Sequence, residues 1–157
     1  MDDVSVAERH DLEQVYREQG RRLWWAVLAF SGDREIASDA VAEAFAQALR
    51  AAEGIREPAN WVWRVAFRVA AAELKGRGRR SDVPIEGSYE MDHRARELLA
   101  SLARLSPRQR SAIALHYYGG YTAREIGSMT GSAAATVAVH LHRGRKRLRE
   151  ILEESDD

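Results

Sequence analysis

The sequence predicts an all-α protein of two small helical domains joined by a flexible linker, the second of them built from four helices. Three observations carry this prediction. Apolar residues recur at the three-to-four spacing of helices that bury one face. Prolines and glycines stand where helices start and stop. A polar stretch containing glycine and proline divides the two apolar sets.

The first domain is placed at residues 8–76 as a three-helix core. Leu12, Val15, Tyr16, Leu23, Val27 and Phe30 mark a helix over about 8–30. Gly32 breaks it, and Ser31 or Asp33 is available to cap the next. Ile36, Ala40, Ala44, Phe45, Ala48 and Leu49 share one side of a helix over about 33–52, with Phe45 assigned to the core. Pro58 suits a first helical turn, after which Trp61, Val62, Val65, Ala66 and Val69 run apolar as far as Gly76. Residues 77–93 read as the linker, opening on a basic cluster of Arg77, Arg79 and Arg80.

The second domain is placed at 94–153, with Leu98, Leu99, Leu102 and Leu105 as its first apolar face. Ser106-Pro107 combines an N-cap with a proline at the first helical position. Gly119-Gly120 stops that helix. Thr122 and Glu125 form a capping box for a short third helix. A tight turn at Thr130-Gly131-Ser132 follows, and Ser132 is the expected cap of the last helix. Val137, Leu141, Leu148, Ile151 and Leu152 mark that helix's inner side. A short helix, a glycine turn and a longer helix make a helix-turn-helix.

The composition narrows the function classes. Hydrophobic residues make up 45% and charged residues 31%, the profile of a folded domain. Arg21, Arg22, Asp33, Arg64 and Arg68 interrupt every segment that approaches the roughly 18 apolar residues of a membrane span, so no membrane insertion is expected. Met1-Asp2-Asp3 lacks the pattern of a signal peptide, and cysteine is absent, so a cytoplasmic location is expected. The histidines His10, His93, His116, His140 and His142 form no metal-ligand spacing, and no phosphate-binding glycine loop is present. No catalytic residue, metal or cofactor is therefore expected.

The net charge of zero conceals a strong segregation. Residues 98–149 hold nine bases against one acid, Glu125, while 150–157 hold five acids and no base. Arg143, Arg145, Lys146, Arg147 and Arg149 crowd the last helix, where they could neutralise phosphates. Helix-turn-helix domains also serve as protein-binding modules. In the first domain, Asp39 and Glu43 form an acidic strip that is either an interface or ordinary solvated surface. Trp61 and Trp63 cannot share one core, since residues two apart on a helix diverge. Trp63 is taken as the exposed aromatic that could stack on an unpaired base, with a packed wedge as the alternative. Basic residues near Lys75 could follow a nucleic-acid backbone or simply complement a helix dipole.

Several motifs resemble the extracytoplasmic-function sigma factors, the smallest class of the sigma-70 superfamily. They are Leu105-Ser-Pro-Arg-Gln-Arg110, Gly120-Tyr-Thr-Ala-Arg-Glu-Ile-Gly127, Thr136-Val137 and Leu141-His-Arg-Gly-Arg-Lys-Arg-Leu148. In the first domain Asp39-Ala-Val-Ala-Glu43-Ala-Phe45 and Trp61-Val-Trp-Arg-Val-Ala66 add to the resemblance. It implies a factor that directs core RNA polymerase to promoter DNA and is silenced by an anti-sigma protein. A sigma-like regulator or interaction module without ordinary promoter opening is the alternative. By the same resemblance, Asp39 and Glu43 meet the polymerase. Trp63, Arg64, Arg68 and Lys75 meet the −10 element; Arg124, Thr136, His140, Arg143 and Arg147 meet the −35 element. The chain departs from the family pattern at Ala42 for glutamine, Phe67-Arg68 for Arg-Asn, Ala72 for an acid, and Ala138-Val139-His140 for Lys-Ser-Arg. Base-reading donors are consequently sparse over 133–140, where alanines offer only methyl contacts.

Overall fold

The computed structural model describes residues 2–51, 54–77 and 91–156, with side chains described from Arg9 onward. Every regular element in that set is an α-helix. The chain divides into two compact units, Met1–Gly78 and Arg79–Asp157, and each carries its own core.

The first unit packs α1 (Asp2–Ser31), α2 (Arg34–Arg50) and α3 (Pro58–Arg77) against one another. Asp33 rather than Ser31 caps α2: its Oδ1 accepts from the amides of Glu35 at 2.8 Å and Ile36 at 3.1 Å. Leu23, Val27 and Phe30 of α1 meet Ile36, Ala40 and Ala44 of α2 and Val62, Val65 and Ala66 of α3 in a core closed to solvent. The run of alanines on α2 leaves room for the larger residues of its neighbours. Phe45 departs from its expected core position. It is half-buried and meets the exposed Tyr16 edge-on at 5.2 Å, so this aromatic pair lies at the rim.

The second unit comprises α4 (His93–Leu102), α5 (Pro107–Tyr117), α6 (Ala123–Thr130) and α7 (Ala134–Asp156). Asp92 caps α4 through the Ala95 amide at 2.8 Å. The Thr122–Glu125 capping box is present at 3.1 and 3.0 Å. A second box, Ser106–Gln109, was not expected; Gln109 supplies the return acceptor that a glutamate often provides. Gly131 holds the turn before α7 with a φ of 75°, the left-handed region that favours glycine. At Gly127 a Cβ would lie 2.5 Å from the Ser132 carbonyl oxygen, so only glycine lets the turn close onto α6. α7 starts at Ala134, which puts Ala133 rather than the expected Ser132 at its N-cap position; the Ala133 carbonyl accepts the first intrahelical bond, from the Val137 amide at 3.1 Å.

Ile113, Leu115, Ile126, Val137, Leu141 and Ile151 form this unit's core. Several helices extend beyond the predicted limits: α1 runs from Asp2 to Ser31, α3 continues through Arg77, α4 starts at His93 and α7 reaches Asp156.

Candidate nucleic-acid interface

On α3 the inner side takes Val62, Trp63, Val65, Ala66, Phe67 and Ala70. Trp63 is fully buried, which corrects the expectation that it stands exposed. Its indole N–H donates to Gln19 Oε1 at 2.9 Å, and its ring stacks on Phe67 at 6.4 Å. Arg22 lies over the ring at 5.9 Å. Each polar and apolar part of Trp63 is satisfied within the unit, so the indole is a structural wedge.

The outer side of α3 tells the complementary story. Trp61, Arg64, Arg68 and Lys75 follow one another by three, four and seven residues, so they share a face. The three bases are exposed and Trp61 is half-exposed. The aromatic on the basic face is therefore Trp61. The signal was present in sequence, since Trp61 keeps helical register with the arginines and Trp63 keeps it with Phe67 and Ala70.

Arg77, placed in the linker cluster by sequence, is instead the last residue of α3. It pairs with Asp33 at 3.3 Å and Glu35 at 3.8 Å, tying the end of α3 to the start of α2. Arg79 and Arg80 lie outside the described residues. Beside this pair, Glu73 has one buried carboxylate oxygen without a hydrogen-bond partner. Burial, reinforced by the charge of Asp39, raises its pKa above the ordinary value. Asp39 itself is exposed on α2. Glu43, one turn on, accepts from Gln47 and Arg50, each at 3.0 Å. These bonds, Gln47's first, hold its carboxyl below the usual range.

In the second unit α6 and α7 form the helix-turn-helix. Arg124 projects from the first turn of α6 and is exposed. Thr136, His140, Arg143 and Arg147 recur by four, three and four residues along one flank of α7. Their environments differ. Arg143 is exposed and has no ion pair among the described residues, whereas Arg147 pairs with Glu150 at 3.5 Å and Glu154 at 3.9 Å. Arg104 of α4 also reaches Glu154, at 3.5 Å. His140 buries Nε2 without a hydrogen-bond partner, so that nitrogen meets a base edge only after a change of rotamer.

A second exposed line passes through Ala135, Ala138, Val139, His142, Lys146 and Arg149, opposite the buried Val137, Leu141 and Gly144. Lys146 and Arg149, two of the bases that the sequence offers to phosphates, stand on this line with His142, which the sequence reading left out because several registers of the helix place bases outward. Only the buried set selects one. A further groove of about 640 Å³ includes Leu98, Tyr117, Leu148 and Leu152 beside Arg145 and Arg149. Arg145 sits 5.8 Å above the Tyr117 ring.

Among the described residues no helix is long and apolar enough to cross a membrane. No group of three or more histidines and carboxylates among them could hold a metal ion.

A helix-turn-helix whose second helix is basic, with a second helical unit bearing its own basic face, gives each unit a surface suited to a polyanion. Residues 95–148 match the family model "Sigma-70, region 4". The ECF RNA polymerase sigma factor SigL of Mycobacterium tuberculosis is 29% identical over 166 residues, covering 96% of this chain and 94% of that protein. SigM of the same organism is 27% identical over 156 residues, covering 94% and 80%. Two solved structures share the fold. The sigma factor RpoE of Bartonella quintana, in complex with the anti-sigma factor NepR, has a TM-score of 0.78 at 21% identity, covering 91% of this chain and 97% of that one. CnrH, in complex with the cytosolic domain of CnrY, has a TM-score of 0.74 at 18% identity, covering 98% and 94%. Over nearly its whole length the chain is thus similar to ECF sigma factors, and its second unit carries the match to the sigma-70 region 4 model.

Proposed function

We propose that the chain is a sigma factor that directs RNA polymerase to specific promoters, its two units dividing promoter recognition: the first meets the −10 element and the second the −35 element, with residues after Arg77 as their connection. The observation that carries this is a basic face on each unit, on α3 and on α7. On α3 the contact set is Arg64, Arg68 and Lys75 with Trp61 in the place first given to Trp63. Trp61 stacks on an unpaired base while the cations hold the backbone. On the second unit Arg143 and Arg124 are the main anchors. Thr136 and His140 lie deeper along the same flank, and Arg147 joins once it leaves its carboxylates.

Asp39 and Glu43 form the polymerase-binding surface. Their acidic character fits a basic partner face, and the Gln47 and Arg50 bonds keep Glu43 ionised and oriented. An anti-sigma protein is proposed to silence the chain by covering exposed apolar residues on both units. These are Tyr16 and Leu49 on the first, and Leu98, Tyr117 and Leu152 on the second.

Reconstitution with core RNA polymerase tests the assignment. Asp39→Ala combined with Glu43→Ala lowers core affinity at least tenfold, read by competition for core against the parent chain. Folding, read by circular dichroism, stays intact. Unchanged core affinity in that variant rejects the surface.

A further inference from the structure

The exposed line of α7 changes chemistry halfway along. Its first two turns present Ala135, Ala138 and Val139, while His142, Lys146 and Arg149 follow behind. Val139 is 44% exposed although the inner side of the helix is already filled by Val137, Leu141 and Ile151. A single exposed valine is unremarkable on a protein surface. Here the apolar positions occupy the leading part of a recognition helix, which in this motif meets the base edges, and they offer no hydrogen-bond donor.

We infer that this face reads its promoter by apolar contact, seating Val139, Ala135 and Ala138 against thymine methyl groups in the major groove. The inference rests on α7 being the recognition helix of the −35 lobe. Among the four bases only thymine presents a methyl group in that groove. A guanine opposite Val139 would turn its O6 and N7 acceptors toward methyl groups and lose their water without replacement. Selection thus comes from rejection as well as attraction. The cations behind the apolar turns, with Arg143 on the flank, grip phosphates and hold the helix in register.

The test uses the full chain assembled with core RNA polymerase. Binding sites are selected from a randomised duplex pool, and thymines of the upstream element are then replaced by deoxyuridine, which removes only the methyl group. The expected upstream element contains neighbouring thymines, and each buried methyl lost weakens binding about fourfold. Val139→Ser lies on the surface and leaves the core intact. It should reduce the thymine–uracil difference, while affinity for core polymerase, which Val139 does not touch in this assignment, stays that of the parent chain. A selected element without thymine, equal binding of thymine and uracil duplexes, or an undiminished difference in Val139→Ser overturns the apolar readout. Selection of no promoter at all overturns the promoter-reading role itself, so the two failures are distinguishable.

Discussion

Trp61 and Trp63 are separated by one residue, yet the helix sends them to opposite tasks. Trp63 fills the space beside Phe67 and gives its N–H to Gln19, so Trp63→Ala leaves a cavity and an unpaired glutamine. A loss of about 3–5 kcal/mol is expected, read as a lower midpoint in denaturant. Trp61→Ala should shift that midpoint by less than about 1 kcal/mol while slowing promoter opening, read with a fluorescent base in the −10 element. Equal destabilisation by both substitutions would contradict the assignment. The choice between the two indoles was within reach of sequence, because three-to-four spacing ties Trp61 to Arg64 and Arg68. It was missed because a buried tryptophan needs a partner for its N–H, and Gln19 lies 44 residues away in the chain. The same distance effect hid the Arg77–Asp33 pair, which turned an apparent linker base into the end of a helix.

Helix boundaries depend on local chemistry, and here most were legible. Ser106, Thr122 and Pro107 announced their helices because a cap acts within a few residues. The start of α7 was placed differently since Ser132 is drawn into the turn, where its amide donates to the Gly127 carbonyl at 2.9 Å. That turn is the most demanding element of the second unit. Gly127→Ala would push a methyl group into the Ser132 carbonyl and either splay α6 from α7 or shift the turn. The expected cost is about 1–3 kcal/mol, with promoter affinity at the upstream element falling more than affinity for core polymerase. Parallel loss of both would place the defect in the fold of the whole unit. The side-chain positions on α7 were less legible than its existence. Many bases on one helix satisfy several outward registers until Val137, Leu141 and Gly144 are seen to be inside.

At the scale of the molecule, two units with separate cores carry separate surfaces, and the zero net charge is a sum over regions of opposite character. The basic stretch and the acidic end of the same helix are joined by Arg147, Arg104 and Glu154. That arrangement bears on counterion release, the thermodynamic source of salt dependence in DNA binding. A free arginine that meets a phosphate displaces a condensed cation from DNA, adding about 0.9 to the slope of log affinity against log salt. Arg147 begins with carboxylates beside it, so its transfer to a phosphate frees acidic side chains that retain cations of their own. The parent chain should therefore show a shallower slope than its count of phosphate contacts implies. Glu150→Gln with Glu154→Gln should steepen that slope by up to about 0.9 in polymerase-bound promoter titrations, and parallel slopes would exclude the exchange. The acidic end of α7 thereby sets how far promoter occupancy follows the ionic strength of the cell.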